Sequence, residues 1–265
     1  MKIYMSIDLE GICGTTHWDE VTRGGERYAE FQKQMTAETA AACRAALEAG
    51  ATRVYVRDGH DSAENIIASE LPESTVLIRG WSRHPYMMMQ ELDHSFDAAM
   101  MIGFHSLAGS PGSPLAHTMS TRVSAITINS LPASEFLINA YTAAYERVPV
   151  VFVSGDRALC DHASTIIPAV RTAAVKYGSG DSTVNLHPEA ARNRITEQVK
   201  LALSGALSDC LLPLPESFDV AITYTSFTDA YRYSFFPGAE SAGPNTIRFR
   251  SDDYFEVLKF FLFTL

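Results

Sequence analysis

The stretch Ile3-Tyr4-Met5-Ser6-Ile7-Asp8-Leu9-Glu10-Gly11 decides how the rest of the chain is read. Its apolar start predicts an N-terminal strand that delivers two carboxylates at its exit. In extended backbone, residues two apart share a face and lie about 6 to 7 Å apart, so Asp8 and Glu10 point one way and Ile7 and Leu9 the other. Two carboxylates side by side in a half-buried place repel each other and raise each other's pKa, unless a cation or a donor compensates them. A metal ion meets that need. The alternative is a strand that ends at Asp8 with Glu10 solvated in a turn before Gly11. The pair alone favours this alternative, so companions elsewhere in the chain decide.

Outward from that stretch, Thr15 to Gly25 is polar and reads as a loop, with Gly24-Gly25 as a breaker. Ala40, Cys43 and Leu47 at helical spacing predict a helix over Thr36 to Glu48, with Thr36 as N-cap and Gly50 as stop. Val54-Tyr55-Val56 is the next strand, and strand, helix, strand implies a right-handed parallel crossover. A helix-like stretch leads to a strand at Thr75 to Ile78, and His84 to Leu92 reads as helical, its three methionines as core filler. Ala98 to Gly103 is continuously apolar, the pattern of a strand covered on both faces. The Pro/Gly-dense run Ala108 to Pro114 is a loop.

Strands at Ala125 to Asn129, Pro149 to Val153 and Val170 to Val175 alternate with helices at Ser134 to Arg147, from Ala158, and from Pro188 to Leu203. The alternation predicts an α/β fold, a mostly parallel sheet flanked by helices. Leu211-Leu212-Pro213-Leu214-Pro215 reads as a linker. The expected division is residues 1–214 as an α/β metal-binding catalytic domain and 215–265 as a small C-terminal α+β subdomain.

With 265 residues and a formal net charge of -10, the chain has no Lys/Arg cluster, which argues against a nucleic-acid partner. The apolar run Tyr254 to Leu265 is too short and too charged to cross a membrane and is expected in the core or at a subunit contact. Cys13, Cys43, Cys160 and Cys210 form no C-x-x-C pair, and no signal-peptide pattern precedes the first strand, so a reducing cytoplasm is expected. No phosphate-binding glycine loop and no nucleophile elbow occurs.

His60 follows the strand ending Val54-Tyr55-Val56, and His105 follows Ile102-Gly103-Phe104. Ligands of open parallel sheets bind outside the carboxyl ends of the strands. Asp8, Glu10, His60 and His105 are therefore expected on one rim, joined by Glu135 at the start of the helix after Ile126. Two imidazoles and three carboxylates exceed one tetrahedral structural zinc and suit two divalent ions sharing a carboxylate. The donor set fits zinc best, with manganese or cobalt as alternatives. Two ions about 4 Å apart lower the pKa of a water and stabilise an oxyanion, so hydrolysis is the natural use.

His117, just past the Pro/Gly loop, is either a general acid or base, an oxyanion holder, or inert. His17 in the early loop is the rival ligand. His84, His94, His162 and His187 read as capping or solvated, and Cys13 as a packed turn residue. Lys176 leaves a strand end toward substrate or, more commonly, lies on the surface; Ser154-Gly155-Asp156-Arg157 either caps a helix or meets substrate.

The motifs Met5 to Gly11, Asp58-Gly59-His60, Gly103-Phe104-His105, Ala116-His117-Thr118-Met119, Ile128-Asn129 to Glu135 with Asn139-Ala140, and Thr172 to Lys176, in this order, resemble the binuclear zinc D-aminopeptidases encoded in bacterial dipeptide-transport operons. The resemblance spans nearly the whole chain. It implies a metallopeptidase that removes the N-terminal residue, of D configuration, from short peptides or amino-acid amides. It implies that Asp8 is shared by two zinc ions, that Glu10 and His60 complete one site and His105 and Glu135 the other, and that His117 is catalytic. It also implies stacked pentameric rings, a decamer whose sites face an inner chamber. One departure is Ser134, where the family usually has glycine. Two other readings stay open: another binuclear hydrolase, an amidohydrolase or phosphoesterase, and a metal-stabilised assembly protein without turnover. Against the phosphoesterase, the opening motif is D-x-E rather than D-x-H.

Overall fold

The opening apolar run forms β1 (Lys2–Ile7) in the computed structural model, which describes residues 1–265. The single-turn α1 (Trp18–Val21) and the long α2 (Tyr28–Glu48) lead to β2 (Arg53–Asp58) and β3 (Thr75–Ile78). Next come β4 (Ala98–Phe104), β5 (Val123–Ile128), β6 (Leu131–Pro132), α3 (Glu135–Tyr145) and β7 (Val150–Asp156). They are followed by α4 (Arg157–Ile166), β8 (Arg171–Ser179), β9 (Ser182–Asn185) and α5 (Pro188–Ser204). The last part holds β10 (Phe218–Tyr224), α6 (Phe227–Tyr233), β11 (Ala239–Gly243), β12 (Thr246–Ser251) and α7 (Tyr254–Thr264).

The large sheet has the order β3-β2-β1-β4-β7-β8-β9 and is parallel except for β9. Its central strands β4 and β7 are buried at every position, as their unbroken apolar runs require. α2 packs with α5 and α3 with α4, both pairs lying against strands of this sheet. The expected α/β class with a mostly parallel, helix-flanked sheet is the observed one.

A second sheet, β11-β12-β10-β5-β6, is antiparallel throughout. It draws strands from both sides of the expected division near Pro215, because β5 and β6 leave the first 214 residues to join β10. The physical reason is legible in β5, where buried Val123, Ile126 and Ile128 share the strand with an exposed Ser124. That is the half-buried pattern of an antiparallel strand facing one layer, here α7, and β10 alternates in the same way. Asn129 and Ser130 both have positive φ, 52° and 67°, and make the two-residue turn between β5 and β6.

Other expectations are also revised. Thr36 lies inside α2, its hydroxyl donating to Gln32 O, so the helix begins at Tyr28 instead. The stretches before β3 and from His84 to Leu92 contain only single 3-10 turns, at Ala68–Glu70 and Met87–Met89. Left-handed backbone at Asp61, Ala63, Arg83, Met87 and Glu91 interrupts both.

The exits of β1 and β4 touch beyond the end of the sheet, Asp8 N donating to Ile102 O and Gly11 N to Gly103 O, both at 2.8 Å. Gly103 has φ +73° where β4 slips register against β7, a bulge that re-aims the next residues. A Cβ on Gly11 would lie 1.8 Å from Phe104 O, so only glycine lets the two exits meet. Gly11→Ala is therefore expected to cost at least about 2 kcal/mol, since overpacking is met here by backbone rather than a movable side chain. Gly50→Ala, with φ +96° and open space around the site, carries only a left-handed backbone penalty of about 1 to 2 kcal/mol. Thermal and urea denaturation of the two variants checks this, and a smaller loss for Gly11→Ala than for Gly50→Ala contradicts the crowding argument.

Candidate metal centre

The strand order reverses between β1 and β4, which makes the crevice beyond their carboxyl ends a topological switch point. Asp8 and Glu10 leave β1 there, His60 follows β2 and His105 follows β4 directly. β1 stops at Ile7, so both carboxylates sit in the turn beyond it, yet Asp8 and Glu10 are only 2% and 3% exposed. The turn is real and the solvation is not. Glu135 arrives as the first residue of α3, and Ser134 caps that helix by accepting from Leu137 N at 3.2 Å. The departure from glycine at 134 thus supplies a capping oxygen beside the carboxylate.

Three imidazoles are held in the same manner. His60 Nε2 lies 2.6 Å from Val21 O, His105 Nδ1 2.9 Å from Ser106 O, and His117 Nδ1 2.9 Å from Leu115 O. A carbonyl oxygen only accepts, so each of these nitrogens carries a proton. The other nitrogen of each ring then points at carboxylates. His60 Nδ1 is 3.2 Å from Asp8 Oδ1 and 2.9 Å from Glu10 Oε2. His105 Nε2 is 3.4 Å from Asp8 Oδ2 and 3.5 Å from Glu135 Oε1, and His117 Nε2 is 3.6 Å from Glu135 Oε1. Asp8 accordingly turns one oxygen to each of two histidines. Asp8 Oδ2, Glu10 Oε2 and His105 Nε2 are buried without a hydrogen-bond partner.

In neutral imidazoles these arrangements set lone pairs against lone pairs, so a cation must be shared among them, a proton or a metal ion. Burial raises the Asp8 pKa to about 8, with the Glu10 charge adding to it and the His60 hydrogen bond opposing it. Burial works against a charged His105, but Glu135, Asp8 and Glu10 outweigh it and carry its pKa to about 10. His60 is likewise penalised by burial and lifted well above its ordinary value by Glu10 and Asp8. Glu10 and Glu135, despite burial, fall below the usual range because His60 and His105 face them. A buried N/O donor set without thiolate, with unpaired oxygens, fits divalent zinc. The ligand atoms of Asp8, Glu10 and His105 lie within 4.8 Å of one another, as do those of His105, His117 and Glu135.

The structure thus brings Asp8, Glu10, His60, His105, Glu135 and His117 together. It does not bring in His17, which is exposed at the start of α1. The next residue, Trp18, packs edge-on against His117 at 5.4 Å, while His117 stacks on His105 at 4.3 Å. Lys176 is buried rather than on the surface, its ammonium donating to Glu10 O, Thr15 O and Thr15 Oγ1. Burial lowers its pKa to about 8. Asp156 caps α4 and also takes both the backbone N–H and the hydroxyl of Ser106, fixing the residue after His105. Asp58 accepts from Asn65 and Ile66, and Asn65 donates to His60 O, which holds the third loop. These supports carry no metal-ligand spacing in sequence; Asp156 showed only as a possible helix cap.

The site opens into a cavity of about 440 Å³. Trp18, Trp81, Met87 and Met88 line it together with Phe261 and Leu262 of α7. Two of the three methionines expected as core filler thus also face the cavity.

In the metal-free chain His105 keeps its proton to about 10, above its ordinary 6.5, and Asp8 to about 8, above 3.8. The stabilisation from His105 is present in full below 6.5 and is lost as pH rises toward 10. Asp8, held protonated in the fold, withdraws stability as pH rises from 3.8 to 8. A metal must displace these protons. Zinc addition at pH 7 is therefore expected to release protons, and zinc affinity to rise with pH through the neutral range. An indicator-dye titration checks this, and binding without proton release contradicts the assignment of the shared proton.

The chain is similar to known proteins along nearly its whole length. Residues 1–263 match the family model of the M55 peptidases, described as D-aminopeptidase. A D-aminopeptidase of Bacillus subtilis (strain 168) is 34% identical over 260 residues, 97% of this chain and 93% of that protein. The solved structure of the Zn-dependent D-aminopeptidase DppA from Bacillus subtilis, described as a self-compartmentalizing protease, superposes with a TM-score of 0.93 at 32% identity. The match covers 100% of this chain and 96% of that one. The chain belongs to the D-aminopeptidase family.

Proposed function

We infer that this member of the D-aminopeptidase family is a zinc-dependent metallopeptidase that removes an N-terminal D-residue from short peptides or amino-acid amides. The observation that carries the reading is Asp8, whose two oxygens face the free nitrogens of two different histidines while a carbonyl holds each ring's other nitrogen. In this reading Asp8 is shared by two zinc ions, Glu10 and His60 serve one, and His105 and Glu135 the other. Bound zinc supplies Lewis acidity to the peptide carbonyl and to the attacking water.

The rest falls to the chain's own groups. Asp61, a lining carboxylate outside the zinc set, suits the substrate's ammonium group. His117 is half-buried, its Nδ1–H fixed on Leu115 O, and its Nε2 faces the cavity, where it can take a proton from water and return it to the leaving amine. Trp18 keeps that ring from turning and covers it from solvent. All six site residues lie within 1–214, while 215–265 supply a cavity wall through α7.

Assembly belongs to the same proposal. Phe227, Tyr231, Phe235 and Phe263 are each at least 64% exposed on α6, just after it, and on α7. Exposed aromatic surface of this kind supports association of copies, and stacked pentameric rings, a decamer, are the form proposed. No helix is long and apolar enough to cross a membrane. Four buried free thiols support the cytoplasm as its compartment.

His117→Ala is expected to keep its zinc and lose about 10²- to 10⁴-fold in kcat on D-alanyl amide. Asp8→Asn is expected to lose zinc and activity together. Metal content and initial rates on D- and L-alanyl amides check both, with an aryl phosphate as the rival substrate. Loss of zinc from His117→Ala would make it a ligand, and phosphatase turnover would replace the reaction. Light scattering is expected to give ten copies per particle in the wild type and fewer on Phe235→Glu; a wild-type monomer refutes the ring arrangement.

A further inference from the structure

The cavity is acidic at its floor and at Asp61 on its rim, and one residue breaks the pattern. Arg83 is the lone lysine or arginine among the lining residues. Neighbouring guanidinium groups are engaged: Arg23 and Arg79 pair with Glu64, and Arg57 donates to Gly80 O and stacks on Trp81 at 4.3 Å. Arg83 has no such partner and is exposed toward the cavity mouth.

Its backbone is held in a left-handed conformation, φ +66°, that a long side chain rarely adopts. The two residues before it are held in place. Ser82 donates through its N–H and its hydroxyl to Oε1 of the buried Gln90, at 3.0 and 3.1 Å, and Trp81 Nε1 donates to Asp61 O at 2.7 Å. Tyr4 of the central strand in turn donates to Gln90 O at 2.7 Å. Asp61, Arg83, Met87 and Met119 all combine positive φ with a place in the cavity lining. Strain concentrated around a cavity and kept by hydrogen bonds that end on the buried Gln90 marks positions set for contact rather than for packing.

We propose that Arg83 binds the free α-carboxylate of the substrate, which makes this site favour short peptides with a free carboxyl terminus over their amides. The proposal rests on the aminopeptidase reading above. With the first carbonyl at the metal centre, the second residue carries the chain outward by about 3.3 to 3.6 Å and ends in a carboxylate. A cavity of about 440 Å³ has room for a molecule of that size. A guanidinium takes a carboxylate through two parallel N–H···O bonds, a geometry that an amide cannot match.

D-alanyl-glycine and D-alanyl-glycinamide differ only in that terminal group and test the proposal on the zinc-loaded protein. The wild type is expected to favour the free acid in kcat/KM by about 10- to 100-fold, the weight of a charge-assisted pair. In Arg83→Met the acid-to-amide ratio collapses toward one, chiefly through KM of the acid, and in Arg83→Lys part of the preference returns. Turnover of both substrates without acid preference in the wild type, or a ratio unmoved by Arg83→Met, overturns the role of Arg83 and leaves the aminopeptidase reading standing. Cleavage of neither substrate overturns both.

Discussion

Three buried carboxylates facing three imidazoles set the terms for the rest of the molecule. Taking each charge out of water costs several kcal/mol, and the loss is recovered only where opposite charge and hydrogen bonds are held in place. Here the backbone carbonyls of Val21, Ser106 and Leu115 orient the rings, and the carboxylates gather at the free nitrogens. Without a metal the cluster balances itself with protons, one retained by Asp8 to about 8 and one by His105 to about 10. A divalent ion replaces those protons with more charge, shared among several ligand atoms at once. The affinity of the cluster for a metal and its dependence on pH are the same physical fact.

Holding such a cluster requires rigid loops, and each loop is clamped by a buried polar group with no contact to the cavity itself. Lys176 gathers the carbonyls of Glu10 and Thr15, Asp156 gathers Ser106, and Asp58 with Asn65 gathers the turn of His60. Burial disfavours the ammonium of Lys176 and brings its pKa down to about 8, with Asp156, Glu10 and Glu38 acting in the opposite sense. That cost fixes the turn that carries Glu10. The glycines at 11, 103 and 155 let the exits of β1, β4 and β7 crowd around Phe104 O, where a Cβ at either Gly11 or Gly155 would lie 1.8 Å from that oxygen. Close backbone approach, and not side-chain packing, brings His105 to Asp8.

What the sequence disclosed follows from how local each cause is. Unbroken apolar runs identify β4 and β7, and a histidine just past a strand exit needs no partner to be noticed. The convergence of Asp8, Glu10, His60 and His105 on one rim follows from strand direction, whereas Glu135 arrives at the start of α3 from a hairpin of the other sheet. Lys176 was misjudged because its partners are backbone carbonyls 161 and 166 residues away, and carbonyls leave no trace in a sequence. The sequence flanking β3, before Thr75 and from His84 to Leu92, reads as helical because its composition allows it. Its geometry instead follows from tertiary anchors, Asn65 on Asp58 and Ser82 on Gln90, that hold non-glycine residues at positive φ. In β5 the alternation of buried and exposed positions was present but was outweighed by the surrounding strand-helix alternation.

That misassigned strand matters for how the site is assembled. β5 and β6 form a hairpin of the small sheet, Ala133 N returns to Ile126 O at 2.8 Å, and Glu135 enters α3 two residues later. Asp8, Glu10, His60 and His105 come from the large sheet, so the centre closes only when the two sheets are in register with one another. Tyr254 on α7 donates to Ile138 O of α3 at 2.7 Å, and Tyr224 on β10 donates to Thr264 O of α7 at 3.0 Å. The same helix that covers the small sheet therefore also fixes the helix that carries Glu135. An ion that binds the assembled centre and not its parts stabilises that arrangement by mass action. The candidate centre thus draws its side chains from both sheets, Glu135 through the hairpin of the small one.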